Sequence, residues 1–146
     1  MRRLTITAFV FAVIGVLSGV YYREITKLND FTDRAGSQLG LVHTHFLTLG
    51  FLALLIALLL EKNFGLSEAA PKRFSVFYWT WTLGTAVTGA IMLVKGTIVV
   101  TGGDASSAAF AGIAGLGHTA VGVGLVCLFL ALLAAQRQQE SARIAR

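Results

Sequence analysis

Three histidines are the residues of this sequence whose type and position best suit chemistry. His43, His45 and His118 are the only histidines of the chain, and each lies inside a long apolar stretch. An imidazole within a lipid-spanning helix needs a polar partner or a ligand, so an intramembrane histidine is by default a functional-site candidate. Residues 40–44 and 115–119 share the pattern Gly-Leu-x-His-Thr. This match predicts that His43 and His118 occupy equivalent positions in the fold.

Two imidazoles that face each other across a helical bundle suit six-coordinate haem. Histidine is a common axial ligand of haem iron, and bundle cores often hold cofactors. We therefore predict haem b, with His43 and His118 as its axial ligands. Glycines lie on the same helical face as each ligand, Gly40 beside His43, and Gly115 and Gly122 beside His118. Each histidine would thus have a slot beside it that admits a flat macrocycle.

His45 follows His43 by two residues, which rotates it by roughly 200° around an α-helix. It therefore points in another direction than His43, and we predict an auxiliary role for it at another helix, a second cofactor or a subunit neighbour. Whether His43 or His45 pairs with His118 stays open at this stage.

A bound metal ion is the first alternative to haem. Copper or zinc could use the same three histidines, and a relay of imidazoles could make the chain a metal-ion or proton transporter or channel protomer. The other alternative is a structural membrane assembly protein, in which the histidines act as polar glue between helices. The sequence leaves open whether the chain is an enzyme, whether it forms a homo-oligomer, and which redox partner it would serve.

The elements that must position the histidines are membrane-spanning helices. The chain has 146 residues, of which 55% are hydrophobic and 13% charged, whereas roughly a quarter are charged in a globular domain. Apolar stretches long enough to cross a bilayer occupy about residues 4–22, 37–60, 74–94 and 108–135. We predict a single all-α domain, an integral membrane four-helix bundle in the lipid bilayer. We also expect the first stretch to be a span rather than a cleaved signal peptide, because no small-residue cleavage site follows it.

Basic residues predict the orientation of this bundle. With both termini in the cytoplasm, eight of the twelve lysines and arginines lie inside, as the positive-inside rule favours. The two matched histidine segments open the second helix of each pair, which predicts two tandem hairpins of the same orientation. This placement of the basic residues indicates topology rather than a nucleic-acid partner. Four of them remain on the outer side as candidate partners of haem propionates: Arg23, Lys27, Arg34 and Lys95.

Three motifs in order carry a family resemblance: residues 22–27 (Tyr-Arg-Glu-Ile-Thr-Lys), 41–50 (with His-Thr-His) and 112–118 (ending in Gly-Leu-Gly-His). Over nearly the whole chain, the sequence resembles an uncharacterised bacterial family of small four-span membrane proteins. It departs from the usual pattern at Ile25, where an aromatic residue is common, and at Phe46, where leucine is common. The resemblance implies a multi-pass protein of the bacterial inner membrane but implies no activity.

A second, weaker resemblance concerns the His-x-His pair alone. It is similar to the His-x-His helix of haem–copper oxidase catalytic subunits, where the two histidines of one helix can serve separate metal centres. The similarity favours haem for this chain. It does not imply oxygen reduction, because four spans cannot supply the full set of oxidase ligands.

Overall fold

The fold is all-helical over the part of the chain that the structure describes. The structure is a computed structural model, and it describes residues 1–33 and 36–145. It contains α1 (Arg2–Leu28), α2 (Leu39–His45), a π-helical segment (Phe46–Leu52), α3 (Ala53–Phe64), α4 (Leu66–Ala69), α5 (Pro71–Val100) and α6 (Ala108–Ile144).

Four helical segments in this fold are long and apolar enough to cross a membrane. Span one is α1, span two runs from α2 through the π segment to α3, span three is α5, and span four is α6. The predicted membrane class and the four spanning helices are therefore confirmed for the described residues. The rods extend beyond the apolar stretches because polar residues at their ends continue the helical backbone.

Local sequence signals fix the connection between spans two and three. α3 ends at Gly65, whose φ of 64° lies in the left-handed region that glycine adopts at helix ends. Pro71 begins α5, where its fixed φ suits the first turn and its missing N–H costs no hydrogen bond. Between them, the buried carboxylate of Glu61 accepts hydrogen bonds from the backbone N–H and the hydroxyl of Ser67. These bonds tie α4 to the end of α3.

Glycines bring spans three and four into backbone contact, and these two helices share the most extensive interface among the described residues. A Cβ added at Gly84 would lie 2.6 Å from the carbonyl oxygen of Gly117. One added at Gly124 would lie 3.1 Å from the backbone nitrogen of Trp81. Small residues allow this close approach in a membrane, where van der Waals packing drives helix association. Span four is therefore anchored on span three.

The π segment interrupts span two directly after His45. Its wider turn is closed by the backbone N–H of Ala53, which donates to the carbonyl of Thr48. The carbonyl of Leu49 accepts a hydrogen bond of 2.9 Å from the indole N–H of Trp81 in span three. A π turn leaves such a carbonyl without its α-helical partner, and short π segments in α-helices often mark functional sites. The distortion thus lies beside a histidine and is held by a neighbouring span.

Span four is the least covered of the four rods. In an apolar stretch of 18 residues from this span, about 17% of the residues are buried, against 28% to 33% in the corresponding stretches of the other three spans. Within the described residues, no Cα atom of α6 lies within 8 Å of one in α1, α2 or the π segment. In span two, only the backbone of α3 comes within this distance of α6 among the described residues. The half of α6 that begins at Ala108 therefore stands away from the histidine end of span two.

Candidate functional site

The structure brings two of the three histidines together across this gap. The ring centroids of His45 and His118 are 6.5 Å apart, and the ring planes are inclined by 68°. His45 is the last residue of α2, and His118 lies in the third turn of α6. The backbones remain apart while the side chains approach, so this pair is the candidate site.

His118 is held in a defined tautomer by its own helix. Its Nδ1–H donates a hydrogen bond of 2.9 Å to the carbonyl of Ala114, one turn earlier. Nε2 then carries the free lone pair, which is the arrangement found in most metal-binding histidines, where the other nitrogen donates to a carbonyl or carboxylate. The side chain is exposed on the surface of the single chain. This face of α6 is open because α6 packs on α5 through glycines, and from it the His118 ring reaches the ring of His45.

His45 is half-buried and presents a nitrogen without a partner. Its ring lies beside the backbone of Thr85 in span three, while its Nε2 is buried and makes no hydrogen bond. Thr85 is itself fully buried, and its hydroxyl also lacks a partner. Buried polar groups are nearly always hydrogen-bonded in native proteins, because leaving one unpaired costs free energy. The site therefore contains two buried polar atoms without a hydrogen-bond partner, one on His45 and one on Thr85.

His43 lies on the other side of span two, toward span one. A Cβ added at Gly19 of α1 would lie 3.6 Å from the Cβ of His43. Its Nε2 is 3.3 Å from the Thr44 hydroxyl, and its Nδ1 is buried without a partner. His43 and His45 thus face different helices, as their angular separation predicts. The ring nearest His118 belongs to His45 rather than to His43, because α1 packs on the face that carries His43.

The predicted glycine slots differ between the two segments. A Cβ at Gly115 or Gly122 would meet no atom within 4 Å, so the face of α6 beside His118 is open. A Cβ at Gly40 would lie 3.2 Å from the ring of Tyr22. The prediction of a slot beside His43 is therefore wrong, because span one fills this position with an aromatic side chain. Gly112 adds a further open position on α6, and it lies outside the five-residue pattern that the two segments share.

Comparison with known proteins assigns the sequence of this chain to a family. A family model described as "Protein of unknown function (DUF2871)" matches residues 1–135. The chain belongs to this family. The prediction of an uncharacterised family is therefore confirmed, while the haem–copper resemblance stays a prediction. Neither the curated proteins nor the solved structures contain a match.

The basic residues predicted to hold propionates are distributed unevenly around the site. Lys95 is half-buried in α5. It follows Thr88 by seven residues, or two helical turns, so it lies on the same face of α5 and roughly 10 Å nearer the end of that helix at Val100. Thr88 packs against Gly117, one residue before His118. Arg23 pairs instead with Glu24 at 3.6 Å. Arg23 and Lys27 line a separate cavity of about 550 Å³, and Arg34 lies outside the described residues.

Two features of the site had only weak sequence signals. Thr85 and the other threonines of the spans stand out as polar residues, but nothing in their spacing identifies the one that lies beside His45. The π segment has no local signal at all, since its residues are ordinary apolar ones. Within the described residues, no group of three or more His, Cys, Asp and Glu side chains could hold a metal ion. The donor set of the site therefore consists of two imidazoles.

Proposed function

We propose that this protein is a small membrane b-type haem protein in which His45 and His118 are the axial ligands. The observation that carries the proposal is the approach of their rings to 6.5 Å between centroids. With metal–nitrogen bonds of about 2.0–2.1 Å, two imidazoles on opposite sides of one ion have ring centroids roughly 6 Å apart. Two donors, both imidazole, match the axial requirement of haem, whose macrocycle supplies the other four ligands.

The hydrogen bonding of the two rings supports the same assignment. The Nδ1–H of His118 donates to the carbonyl of Ala114, which leaves the lone pair of its Nε2 free. The Nε2 of His45 makes no hydrogen bond that a ligand would have to break. His43 has no comparable access, since it packs against span one at Gly19.

The open face of α6 supports haem over a bare ion. Gly115 and Gly122 leave space on the face of His118, and the backbone of α6 stays away from α2. A flat macrocycle needs such a space beside its ligand, whereas an ion needs only the two nitrogens. We propose Lys95 as the partner of a propionate, because it lies on the α5 face that meets α6, two turns beyond Thr88.

Electron transfer is the role that we assign to the bound haem. When two histidines fill both axial positions, the iron has no open site for a gas. Haem in this setting supplies a one-electron redox couple, and the protein sets its ligands and its apolar surroundings.

An absorption spectrum tests the proposal. Protein purified in mild detergent from haem-replete cells should be coloured, and its bands should sharpen on reduction with dithionite. His45→Ala and His118→Ala should each abolish or change the spectrum, because an axial ligand is lost. His43→Ala is the matched control and should keep it. Colourless wild-type protein would reject haem, and loss of the spectrum in His43→Ala but not in His45→Ala would reject this ligand pair.

A copper or zinc ion bound by His45 and His118 is the second candidate. The same short distance between the rings favours it, and it would fit a metal-ion transporter. Two imidazoles leave a tetrahedral or tetragonal ion incompletely coordinated, so it would need further ligands from water or a second chain. Elemental analysis of colourless protein would identify the ion, and a metal-free result would favour a structural role for the histidines.

We also propose that the protein lies in a bacterial inner membrane as two tandem hairpins. Both termini are then in the cytoplasm. Eight of twelve basic residues then lie inside, in agreement with the positive-inside rule. The test uses Lys62→Cys, at the end of α3, in a Cys127→Ala background, with Asp104→Cys at the opposite end as control. An impermeant thiol reagent added to intact cells should label only the cysteine at 104. Labelling at 62 alone would reverse the orientation.

A further inference from the structure

A second candidate site lies at the other end of the bundle from the histidines. The first turns of α1 and α5 border a cavity of about 400 Å³. Its polar lining includes Arg2, Arg3, Ser67 and Ser75. Neither the haem proposal nor the packing of the helices uses this cavity, so it calls for a separate explanation.

The charge around this cavity is positive. In the described residues, neither Arg2 nor Arg3 has a carboxylate within 4 Å, since the single ion pair there joins Arg23 and Glu24. Neither α1 nor α5 has an acidic residue in its first turn or a side-chain cap. The nearby carboxylate of Glu61 is already bonded to Ser67. Two arginines are thus free to bind an anion from outside the chain, and the planar guanidinium group of arginine can bind two oxygens of a phosphate at once.

The deeper part of the cavity is apolar and aromatic. It is lined by Leu4, Phe74 and Trp79, and Trp79 lies eight residues, or roughly 12 Å, along α5 from Pro71. Tyr78 also lines it, but its hydroxyl is satisfied at 2.8 Å by Thr7. The lining therefore changes along the helix axes from cationic at the surface to apolar in the membrane. A phospholipid has the same order of groups, an anionic phosphate followed by acyl chains.

From this arrangement we infer that the cavity binds an anionic phospholipid, with the phosphate at Arg2 and Arg3 and the first acyl carbons along Phe74 and Trp79. Basic pockets between membrane helices bind the head groups of anionic lipids. In the proposed topology this end of the bundle faces the cytoplasm. The inference stands independently of haem, since no histidine contributes to the cavity.

The test uses Trp79 as the reporter. The chain has two tryptophans, of which Trp81 is buried and Trp79 is about half exposed. The full-length protein is reconstituted into phosphatidylcholine vesicles that carry a small, equal fraction of brominated phosphatidylglycerol or brominated phosphatidylcholine. Bromine quenches tryptophan on contact, so we expect stronger quenching by the brominated phosphatidylglycerol. Trp79→Phe should remove that excess.

Charge-matched variants distinguish a site from general attraction to the surface. The double variant R2Q/R3Q should lower quenching by brominated phosphatidylglycerol to the phosphatidylcholine level. R137Q/R143Q removes the same charge from the end of α6 that contacts Asn63, and it should keep the excess. Equal quenching by both lipids in the wild type, or equal loss in both double variants, would overturn the inference. Loss of the excess when inorganic phosphate replaces chloride at equal ionic strength would also overturn it, in favour of free phosphate.

Discussion

The segments around His43 and His118 share five-residue patterns but have opposite surroundings. Around His43, span one supplies the contacts, with Tyr22 against Gly40 and Gly19 against the histidine itself. Around His118, the glycine face is open and the imidazole is bonded to its own helix. The difference arises because α1 packs along span two, whereas among the described residues the backbone of α6 comes close only to α5, α4 and α3. The same sequence pattern therefore has its space beside the histidine filled by a neighbouring helix in one segment and left open in the other.

The largest effect expected from this contrast is on folding stability. A Cβ at Gly50, on the filled side, would overlap the buried ring of Phe11. Gly50→Ala should therefore lower the free energy of unfolding by about 1–3 kcal/mol, as overpacking does. Gly122→Ala, on the open side, should leave it unchanged or slightly raised. Thermal unfolding in detergent measures both, and equal losses would contradict the contrast.

The next effect concerns haem occupancy. Gly115→Leu should reduce the haem bound per folded protein several-fold, because its side chain would occupy the space beside His118. Gly40→Leu is the matched change in the other segment. It should destabilise the fold against Tyr22 but leave occupancy per folded protein unchanged. The ratio of haem absorbance to protein after size-exclusion chromatography gives this quantity, and a reversed order of the two variants would return His43 to the ligand pair.

The smallest effect separates two buried threonines of span three. The hydroxyl of Thr85 has no partner, whereas that of Thr88 donates to the carbonyl of Gly84 at 2.8 Å. In haem-free protein, Thr85→Val should raise stability, by up to about 1 kcal/mol, since it removes an unpaired buried group. Thr88→Val should lower stability by roughly 0.5–1.5 kcal/mol through loss of a hydrogen bond. A lower unfolding midpoint for both variants would show that the Thr85 hydroxyl has a partner.

Composition and long apolar stretches were sufficient to predict the class of this fold. The four spans and the uncharacterised family follow from features that do not depend on how helices are placed against each other. The opposed directions of His43 and His45 also follow, because they depend only on the geometry of one helix. These predictions concern properties that a single segment carries by itself.

Which histidine lies nearest His118 could not be predicted from any single segment, because it depends on how the helices pack against each other. Whether Gly40 or Gly115 is open depends on which neighbour supplies a ring, and Tyr22 is eighteen residues away from Gly40 in another span. The exposure of His118 depends on where Gly84 and Gly117 seat α6. Counting along a regular helix also fails in span two, where the π segment changes the number of residues per turn.

That π segment lets span two hold one residue more than a regular helix of the same length. A π turn closes with i→i+5 hydrogen bonds, so it takes up about one residue more than an α turn. Deleting one residue between Phe46 and Leu52 would therefore let the chain close into a continuous α-helix and leave α3 on nearly the same face. Leu54 and Ala57 would stay in the core, and Glu61 would stay beside Ser67. The carbonyl that accepts from Trp81 would regain an α-helical partner. A gap at this point in an alignment with another family member would therefore indicate a regular span two with the same neighbours for its second half.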